Sequence, residues 1–467
     1  MKTFTRTAAS FPPIVPAEAD AALKAAEPTR SVKVIALDDD PTGTQTVHDI
    51  FVYTDWDRDS VRQGLDDADR LFFILTNSRA FSVSETVRVH EEIARNIASQ
   101  TDNFVLVSRG DSTLRGHYPI ETDVLRRALA ENGYKTDGEI IYPFFPEGGR
   151  YTVENIHYVK YGDVLVPAGE TEFAKDKTFG YTESDLTKWI EEKTSGAYKA
   201  KDVTTVTLDE LRRQDYDGIT AKLMGVSNGK VIVNSLTYDD VKVFTTAFWR
   251  AWSMGKRFII RSAAAFVKVL GGVTDKEPLT SEELKMNVKS RRGGLIIAGS
   301  HVKKTTDQLE TLRGVPGLTF LELNQHLALD EAAFEAEADR VAKQADARLA
   351  SGETAVIMTR RERFDLGTGD KAAELDLAAK ISDKLCGIVR KLTHSPRFVI
   401  AKGGITSSDT AIKGLGIKKA LVLGQILPGV PVWRAGSETR FPGLTYVVFP
   451  GNVGDEHALM EAVKKLI

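Results

Sequence analysis

Continuous apolar runs that end abruptly in polar residues recur along this chain. VKVIAL at 32–37 runs into Asp38, Asp39 and Asp40, and LFFIL at 71–75 into Thr76, Asn77, Ser78 and Arg79. NFVLV at 103–107 runs into Ser108, Arg109, Gly110, Asp111, Ser112 and Thr113. A run without alternation is buried on both faces, which is the pattern of a parallel strand. IFVYTDW at 50–56 is a further strand candidate. SVRQGLDDADR at 60–70 has helical periodicity, and so has 82–100, where Ser82 or Ser84 suits an N-cap. Strand, polar end and helix in repetition predict a doubly wound parallel sheet, with the polar ends on the rim where ligands bind.

From Gly138 to Asp176 the texture changes to aromatics, Gly and Pro with hairpin-like alternation, and Arg150, Thr171 and Glu172 stand out as polar features. This reads as an excursion from the α/β core. Strand and helix return at 230–240 and 257–272. A polar stretch at 273–292 then precedes a clean restart at 293–312, 353–360, 372–392, 397–417 and 444–466. The fold class expected is α/β, with two doubly wound domains, mainly parallel sheets and an active site in the cleft between them. The expected limits are an extension at 1–30, a first domain at 31–272, a linker at 273–292 and a second domain at 293–467.

Composition narrows the function classes. At 467 residues the chain exceeds a single core. A net charge of −3 argues against nucleic acid or an anionic membrane as partner. The single cysteine, Cys386, excludes an intramolecular disulfide and reads as a small buried residue. The eight histidines show no HExxH or paired metal spacing. No apolar run reaches membrane-span length, and the first thirty residues lack a signal-peptide core, so a cytoplasmic protein is expected. A homo-oligomer is left open.

Three adjacent carboxylates at a strand end repel one another and call for a cation, donors or a substrate. The alternative is an acidic turn that caps a following helix, which needs only one Asp. Pro41 ends the strand, Gly43 permits close backbone approach, and Thr42, Thr44 and Thr46 add hydroxyls. Asp39, Asp40, Arg79, Arg109, Asp111, Ser112 and Arg115 together suit a polyhydroxy acid, since arginine forks suit carboxylates and Asp and Ser suit hydroxyls. In the second half, glycine turns at Gly299–Ser300, at 403–406 and at 451–454 present backbone amides beside helix starts. Ser300, Thr406, Ser407 and Ser408 add hydroxyls, a combination that favours phosphate. There is no GxxxxGK[ST] and no protein-kinase signature.

DDPTG at 39–43, RGDSTLRG at 109–116, FPEGGR ending at Arg150 and TEFAKD from Thr171 resemble the four-carbon acid sugar kinase family, in order along the chain. GSHVKKTTDQ from Gly299, GGITS from Gly403 and GNVGD from Gly451 continue the resemblance. It implies a phosphotransferase of carbohydrate metabolism, with an N-terminal sugar-acid domain and a C-terminal nucleotide domain. ATP, with Mg2+, would phosphorylate a hydroxyl of an acid of the threonate, erythronate or oxo-tetronate kind. By the same resemblance, Asp39, Arg79, Arg109, Gly110, Asp111 and Ser112 would hold the substrate. Ser300, Gly403, Gly404, Ile405, Thr406 and Gly451 would hold ATP. Asp40 is the expected catalytic base, with Asp39 and Asp111 as alternatives; the metal ligands are left open.

Three motifs depart from the family's usual pattern. KIDS becomes Arg109, Gly110, Asp111 and Ser112. KSGGFG becomes Phe449, Pro450, Gly451, Asn452, Val453 and Gly454, without its lysine, for which Lys402 is a stand-in. The opening motif is also more acidic than ADDLTGA. Two other classes compete. Asp38, Asp40 and Thr42 fit the DxDx[TV] motif of haloacid-dehalogenase-like phosphatases, with Asp38 as nucleophile. A non-catalytic sensor of sugar acid and nucleotide would explain the missing lysine.

Overall fold

The computed structural model describes residues 2–28, 32–286, 290–362, 364–367, 371–451 and 453–467, with the backbone alone at 371, 372 and 375. The chain forms two compact units: Met1–Gly43 with Asp55–Thr274, and Thr44–Thr54 with Asp275–Ile467. In chain order the strands are β1 (Lys33–Asp38), β2 (Ile50–Tyr53), β3 (Leu71–Leu75), β4 (Phe104–Arg109), β5 (Gly138–Tyr142), β6 (Arg150–Val153), β7 (Ile156–Tyr161), β8 (Val164–Pro167), β9 (Thr204–Val206), β10 (Gly229–Val233) and β11 (Phe258–Ser262). There follow β12 (Leu295–Ala298), β13 (Leu318–Leu323), β14 (Thr354–Thr359), β15 (Phe398–Lys402), β16 (Lys419–Leu427), β17 (Val430–Ala435) and β18 (Thr445–Phe449).

In the first unit the sheet order is β3-β1-β4-β11-β5-β10-β9, with every pair parallel. All residues of β1, β3 and β4 are buried, as their unbroken apolar runs require. The chain leaves β1 for β3 on one side and returns to β4 on the other. β1/β4 is therefore the switch point, outside which the carboxyl ends leave a crevice. The excursion is a β6-β7-β8 antiparallel meander that starts later than the texture change suggests, because β5 still belongs to the parallel sheet. The first residues are part of this unit. The helix Phe4–Ala9 is tied by Phe4 N donating to Asp163 O at 2.8 Å, and Pro16–Ala26 by Lys242 to Asp20 at 2.7 Å.

The second unit runs β13-β14-β12-β15-β18-β17-β16-β2. The first five strands are parallel, while β17, β16 and β2 are added antiparallel. Its switch point is β12/β15. The strand at 50–53, expected within residues 31–272, pairs instead with β16 of this unit (Val52↔Ala420, Phe51↔Leu421). Thr44 Oγ1 accepts from Trp433 Nε1 at 2.9 Å and Thr54 N donates to Lys418 O at 3.0 Å, so both ends of the segment are secured. The unit boundary after Thr274 falls inside the stretch expected to join the domains. Among the described residues no helix is long and apolar enough to cross a membrane.

Candidate functional site

In the first unit, register puts the site at one level. Asp38 stands beside Leu75 of β3 and Arg109 of β4, and Arg109 beside Ser262 of β11. The residues that follow each of these therefore leave the same rim. Asp39 N donates to Arg109 O at 3.2 Å and Arg79 N to Asp39 O at 3.3 Å, while Asn77 turns the chain at φ 56.

The three aspartates have separate surroundings. Asp38 is 1% exposed, faces Arg109 Nη1 at 3.3 Å, and has its Oδ2 buried without a partner. Burial pushes its carboxyl up to about 7 despite Arg109. Gly43 is required above it, since a Cβ there would lie 1.8 Å from Asp38 Oδ2. So enclosed, Asp38 presents no accessible oxygen to a phosphate monoester, which weighs against its role as a phosphatase nucleophile. Asp39 is gripped by Arg79 through two bonds, Nη2 at 2.6 Å and Nε at 3.1 Å, yet burial still holds its carboxyl above the ordinary value. Asp40 accepts from Thr42 N at 2.9 Å and Thr42 Oγ1 at 2.6 Å, so its Oδ1 does cap the short turn Pro41–Thr44. Its Oδ2 meets Arg79 Nη1 at 3.3 Å. Burial alone would raise Asp40, but Arg79 and the two Thr42 donors outweigh it and hold it below the usual carboxylate range.

The β4 turn is equally braced. Asp111 accepts from the Thr113 hydroxyl and from Arg115 Nε at 2.8 Å. Against burial, Arg79, Arg115 and Thr113 hold it well below the carboxylate range. Gly110 N donates to Ser262 O at 2.9 Å, and a Cβ on Gly110 would come 3.0 Å from Arg261 Nη1. Ser112 O accepts from His157 Nε2 at 2.8 Å, which fixes that proton on Nε2 and leaves Nδ1 to accept from Thr152 Oγ1 at 3.0 Å. Burial pushes His157 down to about 4, with the Ser112 carbonyl opposing. Sequence reasoning missed Glu121 and Arg261, a buried pair at 3.1 Å in which Arg261 Nη2 also holds Arg115 O at 2.9 Å. Arg261 lies inside an apolar run and Glu121 in the first turn of the helix Ile120–Glu131, and nothing in the sequence marks either.

In the second unit Ala298 pairs with Lys402, and Lys402 with Phe449, so the three glycine turns begin side by side at the carboxyl ends of β12, β15 and β18. Gly403 has φ 106, and a Cβ there would lie 3.7 Å from Thr406 Oγ1 and 3.9 Å from Ser300 Cβ. Gly404 begins the short helix Gly404–Asp409, where Ile405 is 62% exposed and Thr406 is buried. Ser407 and Ser408 turn inward instead: Ser407 Oγ donates to Ala401 O at 2.7 Å, and Ser408 is 1% exposed. Around Gly451 a Cβ would meet nothing within 4 Å. Asn452 lies outside the described residues.

Lys402 and Arg361 of this rim have no ion pair among the described residues, whereas Lys303 pairs with Asp307 at 2.8 Å. Lys402 is fully buried, and its Nζ has one hydrogen bond, to Pro450 O at 3.4 Å, with no carboxylate partner among the described residues. Burial, helped by Lys304, brings it down to about 8. Arg361, which sequence reasoning also missed, donates to Ser300 O at 2.6 Å and to Thr306 Oγ1, while its Nη1 is buried without a partner. Lys303 and Lys304 open the uncapped helix Lys303–Leu312 with no acid in its first turn, which sets them against the helix dipole. No three His, Cys, Asp or Glu side chains converge as a metal site among the described residues. Cys386 is buried and its thiol is pushed up to about 12 by burial, so it is inert.

Residues 34–270 match the model of a sugar-binding N-terminal domain, and residues 295–459 that of a nucleotide-binding C-terminal domain. Among solved structures the chain is similar to a protein from Salmonella typhimurium LT2, provisionally described as a tRNA synthase. They share 17% identity at a TM-score of 0.67, over 93% of this chain and 100% of that one. It is also similar to a Haemophilus influenzae protein of the DUF1537 family, with 18% identity, a TM-score of 0.62 and the same coverage. Identities this low make the likeness one of fold. No curated protein matches in sequence.

Proposed function

The chain belongs to the four-carbon acid sugar kinase family, and from that premise we propose that it is an ATP-dependent kinase for a small sugar acid. The acid is of the threonate, erythronate or oxo-tetronate kind. The observation that carries the reading is Lys402, buried with no carboxylate partner among the described residues at the level of three glycine turns, in a chain whose other domain is sugar-binding. A buried ammonium without a carboxylate is costly, and a triphosphate supplies the missing charge.

In this reading Ser300, Gly403, Gly404, Ile405, Thr406 and Gly451 cradle ATP. Lys402 replaces the lysine absent from the last turn, and Arg361 braces Ser300. Asp39, Arg79, Arg109, Gly110, Asp111 and Ser112 shape the acid's seat. Magnesium would enter with the nucleotide and supply charge neutralisation at the phosphates. The acceptor oxygen bonds to the γ-phosphorus, the bond from that phosphorus to the β,γ-bridging oxygen breaks, and ADP leaves. The hydroxyl proton passes to Asp40 Oδ2. Asp40 suits this because it is ionised and directed by Thr42 and Arg79. Its weak basicity is adequate, since a loose transition state releases the proton late.

The test is a coupled ADP-release screen over four-carbon acids with magnesium and ATP. ADP release that depends on one of these acids is expected. On that acid Asp40→Asn should lower kcat by about 10² to 10⁴ with little change in either KM. No release across the panel overturns the reading, and a kcat unmoved in Asp40→Asn removes Asp40 as base.

A further inference from the structure

Every arginine at the first-unit rim but one meets a carboxylate. Arg79 is held by Asp39 and Asp40, Arg109 by Asp38, Arg115 by Asp111 and Arg261 by Glu121. Arg150 is the exception: it has no ion pair among the described residues, and its Nε is buried without a hydrogen-bond acceptor. Burial lowers its guanidinium below the ordinary arginine value, with Asp111 the acid that does most to oppose this.

The acids around Arg150 are already occupied. Asp111 is taken by Arg115 and Thr113. Both Glu172 oxygens accept from Tyr161 OH, at 3.0 and 2.9 Å. Asp176 caps Thr178 N and Phe179 N and lies 3.9 Å from Arg115. Arg150 and Arg115 both lie over the Phe173 ring, at 5.4 and 5.3 Å from its centroid, which ties Arg150 to the Asp111 turn. Its direction is prepared by glycine: a Cβ on Gly148 would approach Arg150 Nη1 to 3.0 Å, and Gly149 turns the chain at φ 76. The β6-β8 meander thus delivers one uncompensated planar fork beside a turn braced for ligand.

We infer that Arg150 receives the carboxylate of the sugar acid and so distinguishes acids from uncharged polyols of the same length. The substrate class rests on the kinase reading above. Arg79, whose charge is spent on Asp39 and Asp40, then orients those aspartates toward the hydroxyls, while Arg109 is held against the enclosed Asp38.

The probes are threonate and threitol, which share a four-carbon polyol chain and differ in the carboxylate. Calorimetric binding to the full chain, with Arg150→Met and Arg150→Lys alongside and thermal melts to verify folding, reads the inference without turnover. The wild type is expected to prefer threonate by at least tenfold. Arg150→Met should lose most of that preference, and Arg150→Lys should restore part of it. A wild-type preference that persists in Arg150→Met overturns the inference, as does a wild type that does not discriminate. If threonate binds with this Arg150-dependent preference but no acid is phosphorylated, the kinase reading falls and the carboxylate site stands.

Discussion

Between pH 4 and 7 two buried groups pull the stability of the first unit in opposite directions. Asp38 keeps its proton up to about 7 in the folded state, whereas the unfolded carboxyl loses it near the ordinary 3.8. The folded state therefore binds more protons across that window, and stability falls as pH rises. His157 is pushed from 6.5 down to about 4, so the unfolded chain binds more protons and stability rises with pH. Each group at full effect changes stability by about 1.4 kcal/mol per pH unit, and the two largely cancel. Relative to wild type, Asp38→Asn should therefore gain a positive slope between pH 4.5 and 6.5, and His157→Gln a negative one. Urea midpoints at three pH values check this; parallel slopes in all three proteins would rule it out. The acidic run itself was legible in the sequence as a site. Which aspartate would be neutral and which ionised was not, because that depends on Arg79, Arg109 and Thr42 reaching different carboxylates of one three-residue run.

At the level of elements, the parallel strands were readable because unbroken apolar runs admit little else, and their polar ends marked both rims. The β16-β17 hairpin was not read. Its first strand alternates buried and half-buried positions and carries Gly424, so it lacks the run that betrays a parallel strand. The last glycine turn is held in place from a helix. Fully buried Gln308, on Lys303–Leu312, donates from Nε2 to Val453 O at 3.2 Å and to Asp455 O at 2.6 Å. Gln308→Ala takes the side-chain donor from Val453 O and leaves Asp455 O only Ala458 N, at 3.4 Å, and should cost about 1–3 kcal/mol of stability. If the turn carries phosphate contacts, calorimetric affinity for magnesium-ATP should also drop severalfold. A lowered urea midpoint with unchanged affinity would take that turn out of the site.

Over the whole molecule, the family models divide the chain near residue 270, whereas the packing divides it twice more, after Gly43 and after Thr54. The second unit is thus incomplete in any piece that starts at Asp275, because β16 loses the partner it has in β2. A fragment of residues 275–467 should be aggregation-prone, since an unpaired strand invites other chains. The same fragment carrying residues 44–54 through a flexible linker should be monomeric by light scattering and should melt cooperatively. A bare fragment that already does both would refute this.

The excursion of residues 44–54 also bears on inheritance. Because the strand is encoded directly after DDPTG, between two stretches of the sugar-binding half, a single crossover at the boundary near Thr274 would give each recombinant a nucleotide half from one parent and its strand from the other. Intact exchange needs three breakpoints. The two halves should accordingly share one line of descent, and swapping a whole nucleotide half between relatives will succeed only when that short strand travels with it.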